Sequence, residues 1–269
     1  MPYRQEVIPS NYVRCYLPNR AFAVELETSQ ELNTPDDWTS CEDGSISGLE
    51  YHSGIVLGKS GIDRITSGCN YLMSENGGEE PIDRSCGYHL HINCQDFSEE
   101  QMTRFARFAY HYQPFFFMLV RKRRNSCGYS YILPDEFKDI SNIADHLYRD
   151  SYVRRDNHGH HMRYYWANIH SYYYRGSVEI RLHHGVVKPT KVLNWIELML
   201  KCVEYGVKEE WENNKPQFWQ MLKLAGVRRS TIEYYKRRSV VYHGEENISM
   251  NFCGQRFLSY NNAETADVV

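Results

Sequence analysis

Residues 21–28 read Ala-Phe-Ala-Val-Glu-Leu-Glu-Thr, with Phe22, Val24 and Leu26 on even positions and Glu25 and Glu27 on odd ones. Alternate side chains of a strand point to opposite faces, so this stretch predicts a strand with one apolar and one acidic face. The same parity returns twice. Between Gly87 and Asn93, Tyr88, Leu90 and Ile92 oppose His89, His91 and Asn93. Over 177–183, Val178, Ile180 and Leu182 oppose Glu179, Arg181 and His183. A solvated sheet face usually carries Thr, Lys, Gln and Ser; this one carries Glu-x-Glu, His-x-His and Glu-x-Arg. Glutamates at i and i+2 repel one another unless a cation sits between them. A guanidinium reads phosphate oxygens bidentately. Each pattern alone describes an ordinary exposed face, but recurrence on three strands points to a site for metal and phosphate.

Working outward, residues 33–48 read as a polar loop and lead to a short strand at about 48–57, and 74–85 read as another loop. Ser98 with Gln101 forms a capping-box pattern. It opens a helix carrying Met102, Phe105, Phe108, Tyr112, Phe116 and Leu119 at helical spacing. A second helix is expected over about 139–149. The runs 163–170 and 177–183 read as two strands joined near Arg175-Gly176 as a hairpin. From Pro189 a helix is expected to about 211, with Trp195, Leu198 and Cys202 on one side. The predicted class is α+β, an antiparallel sheet with helices on one face. Residues 1–212 read as the catalytic domain and 213–269 as a small helical C-terminal extension and tail.

The 269 residues suffice for one sizeable core, and 42% hydrophobic with 24% charged residues is ordinary for a globular chain. A net charge of -3 argues against a dedicated nucleic-acid binder. No apolar run approaches the roughly 18 residues needed to span a bilayer, nor does the N-terminal sequence read as a signal peptide. The eight cysteines include no CxxC pair. Reduced thiols in a cytoplasm are therefore the expectation.

Four segments, in order, resemble the amidoligase branch of the glutamine synthetase and γ-glutamylcysteine synthetase superfamily. They are Phe-Ala-Val-Glu-Leu-Glu at 22–27, Asp-Gly-Ser-Ile at 43–46 with Leu-Glu-Tyr-His-Ser at 49–53, Cys-Gly-Tyr-His-Leu-His-Ile-Asn at 86–93, and Arg-Gly-Ser-Val-Glu-Ile-Arg at 175–181. A helix bearing Trp195 follows them. The resemblance implies a glutamine synthetase-like curved sheet walling a funnel, entered by ATP from one side and by carboxylate and amine substrates from the other. It implies Glu25, Glu27, Glu50, His89 and Glu179 as ligands of two or three Mg²⁺ ions, with Mn²⁺ a possible substitute. It implies Arg181, with Arg163, as phosphate-binding catalytic residues, and Asn168 and His91 as further nucleotide-site residues. Glu50 is the candidate base for the amine. The chain departs from the family pattern at Gly54-Ile55-Val56, and Asp156 to His161 has no counterpart in it.

The implied reaction is an ATP-dependent ligation through an acyl phosphate, yielding an amide or isopeptide, ADP and phosphate. The expected partners are a small-molecule or peptide carboxylate and an amine. One rival is a zinc hydrolase or zinc module built on Cys86, His89, His91 and Cys94, although parity turns both cysteines away from the histidines. Another is a non-catalytic nucleotide- or nucleic-acid-binding protein, suggested by Arg121-Lys122-Arg123-Arg124 and Lys236-Arg237-Arg238. The His158, His160 and His161 segment reads as an exposed polar loop, with a metal-binding loop or a lid over the acyl phosphate as the functional alternatives.

Overall fold

The computed structural model describes residues 19–122, 128–148 and 161–244. The segment with His158 and His160, the residues Arg123 and Arg124, and the tail after 244 lie outside them. Six strands form one open antiparallel sheet: β1 (Phe22–Glu27), β2 (Thr39–Glu42), β3 (Leu49–His52), β4 (Gly87–Asn93), β5 (Ala167–Asn168) and β6 (Ser177–His184), in the spatial order β2-β3-β1-β4-β6-β5. The helices are α1 (Gly58–Glu75), α2 (Glu99–Met118), α3 (Ile143–Leu147), α4 (His170–Arg175), α5 (Pro189–Gly206), α6 (Glu209–Asn214), α7 (Phe218–Leu224) and α8 (Arg229–His243). This is the α+β class that strand parity predicts.

The even-numbered residues of β1 and β4 join one hydrophobic core with Met102 and Phe105 of α2 and with Leu193, Trp195 and Ile196 of α5. Phe218 and Met221 of α7 and Ile232 and Tyr235 of α8 pack into the same core. Among the described residues, these helices pack on the apolar side of the sheet, opposite the ionisable one. The capping box forms: Ser98 Oγ accepts from the Gln101 N–H at 3.2 Å, and Gln101 Oε1 accepts from the Ser98 N–H at 2.8 Å.

Several elements differ from the sequence expectation, each for a physical reason. The polar stretch 33–48 contains β2, an edge strand that is largely exposed and so lacks an apolar alternation. Residues 58–75 form a helix whose core-facing Ile62, Ile65, Cys69 and Leu72 are interrupted by small and polar residues. The helix expected over 139–149 is the short α3, started by Asn142, whose Oδ1 accepts from the N–H groups of Ala144 and Asp145. The helix from Pro189 ends at Gly206, because Arg104 Nη1 takes the Val207 carbonyl at 2.8 Å and a new helix starts at Glu209. Only Ala167 and Asn168 of the run 163–170 are strand. The expected hairpin is replaced by α4, which ends at Gly176 with φ of +70°, where a Cβ would collide with the Gln95 side chain.

One side chain changes face. Leu90 pairs with Ile180 but Tyr88 pairs with His183, so β6 carries one residue more than β4 opposite His89. This bulge turns His183 away from Glu179 and Arg181 and into the core. There its ring lies 4.9 Å from Trp195 and 5.5 Å from Tyr88.

Candidate active site

Strand register assembles the ionisable face. Glu25 stands opposite both His52 on β3 and His89 on β4, Glu27 stands opposite Glu50, and His91 stands opposite Glu179. Directly opposed residues have Cβ atoms about 4.5–5.5 Å apart, so their side-chain ends meet. Glu25 Oε2 lies 3.1 Å from His89 Nδ1, and Oε1 lies 2.8 Å from His91 Nε2. His89 Nε2 is 3.5 Å from Glu27 Oε1, and its Nδ1 is 3.9 Å from Glu179 Oε1. Three overlapping donor groups result: Glu25 with Glu50 and His89, Glu25 with His91 and Glu179, and Glu27 with Asp43 and Glu50. Within each group the donor atoms lie within 4.8 Å of one another.

The five residues expected as metal ligands therefore lie together on one face. His91, expected in the nucleotide site, lies between Glu25 and Glu179, with its Nε2 2.8 Å from Glu25 Oε1. Asn168, also expected there, is fully buried and donates from Nδ2 to Glu179 Oε2 at 2.7 Å. It orients a carboxylate from behind. Arg181 pairs with the other Glu179 oxygen, Oε1, and donates from Nε to the Tyr129 carbonyl at 3.1 Å.

The electrostatics follow from burial against pairing. Burial favours a neutral Glu25, yet hydrogen bonding to His89 and His91 holds its carboxyl well below the ordinary range. Burial opposes charge on His91, but Glu25 outweighs it and raises the imidazole. Burial likewise opposes charge on Glu179, and the Arg181 guanidinium turns the balance so that the carboxyl is lowered. Carboxylates kept ionised in this way could hold cations.

Two cavities flank this row of ionisable side chains. One, of about 250 Å³, is lined by Glu27, Asp43, Ser45, His89, Arg163 and Arg181. The Arg163 guanidinium lies 5.1 Å from the Tyr164 ring centroid, which also borders this cavity. The other, of about 410 Å³, is lined by Glu25, His52, His91 and Arg175 together with Phe22 and Ile55. Arg175 Nη1 lies 3.9 Å from Glu25 Oε1. The row is thus shared: Glu27 and His89 line the first cavity, Glu25 and His91 the second.

Three residues of this face carried signals that sequence reasoning passed over. Asp43 begins the Asp-Gly-Ser segment, where its Oδ1 accepts from the Ser45 N–H at 2.8 Å. His52 has the parity of Glu50, two residues before it. Arg175 opens the Arg-Gly segment that precedes Glu179. The zinc set with Cys86 and Cys94 does not assemble: neither cysteine belongs to any of the donor groups among the described residues. Cys94 is buried in the core and Cys86 lies beside Asp83, and burial pushes their thiols up to about 12 and 11. Of the basic runs, Lys236 pairs with Glu233 and Arg238 lies over the rings of Tyr234 and Tyr242.

A family model described as "putative amidoligase enzyme" matches residues 19–203 of the 269. The chain belongs to this amidoligase family. The matched span contains the six strands of the described residues and the ionisable residues of their shared face. Membership supports an amide-bond ligase. No curated protein and no solved structure matches the chain. No helix among the described residues is long and apolar enough to cross a membrane.

Proposed function

We propose that this amidoligase is an ATP-dependent carboxylate–amine ligase of the glutamine synthetase type, working through an acyl phosphate and releasing ADP and phosphate. The observation that carries the reading is the single row of carboxylates and imidazoles shared by two cavities. The cavity with Arg163 and Arg181 suits a polyphosphate, because two arginines line it together with hydroxyl-bearing Ser45 and Ser85. The cavity with Arg175 and His52 takes the carboxylate and the amine.

The donor set fits divalent ions that favour oxygen. Glu25, Glu27, Glu50, Glu179 and His89 would hold Mg²⁺ or Mn²⁺, with His91 beside them. When bound, such ions neutralise phosphate charge and polarise the transferred phosphoryl group. Arg181 and Arg163 bind the phosphoryl oxygens as the substrate carboxylate oxygen forms its bond to the γ-phosphorus and ADP leaves. The amine nitrogen then attacks the acyl carbon and phosphate departs. The amine proton passes to Glu50, whose Oε1 lies 2.6 Å from His52 Nε2, so the imidazole at the second cavity extends the path to solvent.

The test is a phosphate-release screen with ATP and Mg²⁺ over pairs of amino acids, peptides and polyamines, with Glu179→Ala as control. ADP in stoichiometry with the amide is the expected product. AMP with pyrophosphate would overturn the mechanism.

A further inference from the structure

The ligand face does not stop at Glu50. It continues to the edge strand β2, where Cys41 stands directly opposite Glu50 and Thr39 opposite His52. Cys41, Glu50 and His52 therefore share the face that carries Glu25 and Glu27. Cys41 Sγ lies 3.4 Å from His52 Nε2, and the same nitrogen lies 2.6 Å from Glu50 Oε1. The three donor atoms lie within 4.8 Å of one another.

This geometry is wrong for an activated nucleophile. In a nucleophile–His–acid arrangement the nucleophile and the acid sit on opposite ring nitrogens. Here both converge on Nε2, so the acid cannot orient the ring toward the thiol. Three donor atoms of this kind within 4.8 Å of one another can be gathered by a cation. One thiolate, one imidazole and one carboxylate make a set of zinc ligands, and three protein ligands leave a fourth position for water. Mg²⁺ keeps to oxygen and does not compete for the sulfur. Cys41 is exposed, which gives an ion its entry path.

We propose that Cys41, His52 and Glu50 form a zinc site at the sheet edge, distinct from the oxygen-rich centre but sharing Glu50 with it. The site itself needs no assumption about the reaction. Its consequence rests on the ligase reading above: zinc bound here holds the carboxylate that the oxygen-rich centre and the amine proton both use, and so inhibits turnover.

The test uses the full chain, stripped with a chelator and titrated with Co²⁺ and then Zn²⁺ in excess Mg²⁺. Expected is a thiolate-to-cobalt charge-transfer band in the near ultraviolet that zinc removes. Cys41→Ser abolishes the band, and His52→Asn weakens zinc binding by about tenfold or more, with circular dichroism unchanged in both. A band that persists in Cys41→Ser places the metal on another cysteine and overturns the proposal. Equal zinc affinity in the unmodified chain and both variants, or no zinc binding at all, overturns it too. A chain that joins no substrates yet shows the Cys41-dependent band fails the ligase reading and keeps the zinc site.

Discussion

Asn168 donates its side-chain amide to Glu179 Oε2 at 2.7 Å, and its own Oδ1 accepts from the Ser171 N–H at 3.2 Å. The amide is held at both ends, so it fixes the carboxylate that faces His91 and Arg181. Asn168→Ala is expected to raise the Mg²⁺ requirement or lower activity about 10–100-fold, the usual effect of losing a residue behind a metal ligand. It leaves a buried oxygen without its donor and lowers stability by about 1–3 kcal/mol. Asn168→Asp sets a second carboxylate against Glu179 and does worse on both counts. Mg²⁺-titrated ADP formation, measured beside urea unfolding, checks this. An unchanged Mg²⁺ requirement in Asn168→Ala removes Glu179 from the metal centre.

Arg163 and Arg181 line the same cavity but are anchored differently. Arg181 pairs with buried Glu179, whereas Arg163 lies over Tyr164. On the ligase reading, Arg163→Ala is expected to raise the KM for ATP roughly tenfold. Arg181→Ala is expected to lower kcat by about 10²–10³ and to destabilise the fold by about 3–5 kcal/mol, since it leaves Glu179 ionised, buried and without its guanidinium. Arg181→Lys keeps the charge but loses the planar fork, and falls between the two. Steady-state kinetics in ATP and thermal melts separate the cases. A normal ATP KM in Arg163→Ala puts the nucleotide in the other cavity.

Acid sensitivity is expected from Glu80. Its carboxylate accepts from the N–H groups of Val187 and Lys188 at 3.1 and 3.0 Å, at the start of α5, and pairs with Lys191. Burial raises the Glu80 carboxyl, but Lys191 and the two backbone donors outweigh it, so the folded value is lowered. A lowered folded value means that this stabilisation is fully present above the unfolded carboxyl range, about pH 4.3, and is lost as pH falls through the lower folded value. Glu80→Gln should lower the melting temperature at pH 7 and narrow the gap from the unmodified chain as the pH drops below about 4. Melting curves at pH 7, 5, 4 and 3 check it. A gap that stays constant across that window would show that the ionised carboxylate contributes nothing.

The central strands were legible because their alternation is strong and their ionisable residues stand out against it. Parity alone places Glu25, Glu27, His89, His91, Glu179 and Arg181 on one face. Register is what parity cannot supply: that Glu25 meets His52 as well as His89 depends on how β3 pairs, and the bulge opposite His89 removes His183 from the face. Asp43 belongs to no periodic segment and reaches Glu27 and Glu50 only through a turn. Cys41 sits on an edge strand whose composition reads as loop. The mixed donor set at the sheet edge therefore arises from register alone.

Helix α1 was hidden by its glycines, and Gly68 shows why they are there. A Cβ at this position would lie 2.4–2.6 Å from ring atoms of Trp38, which is itself buried. Glycine inside a helix ordinarily costs about 0.5–1 kcal/mol relative to alanine, so replacement by alanine usually stabilises. Here the sign reverses. Gly68→Ala is expected to destabilise by about 1–3 kcal/mol, because the buried indole must shift to admit the methyl group. Gly44→Ala, with no atom within 4 Å of the added methyl group, should stay within about 0.5 kcal/mol. Trimming the ring in Trp38→Leu should remove the penalty of Gly68→Ala, so the double variant is more stable than the two single losses add up to. Urea unfolding of the four proteins measures the coupling. Strict additivity would show that Gly68 is not placed there to receive Trp38.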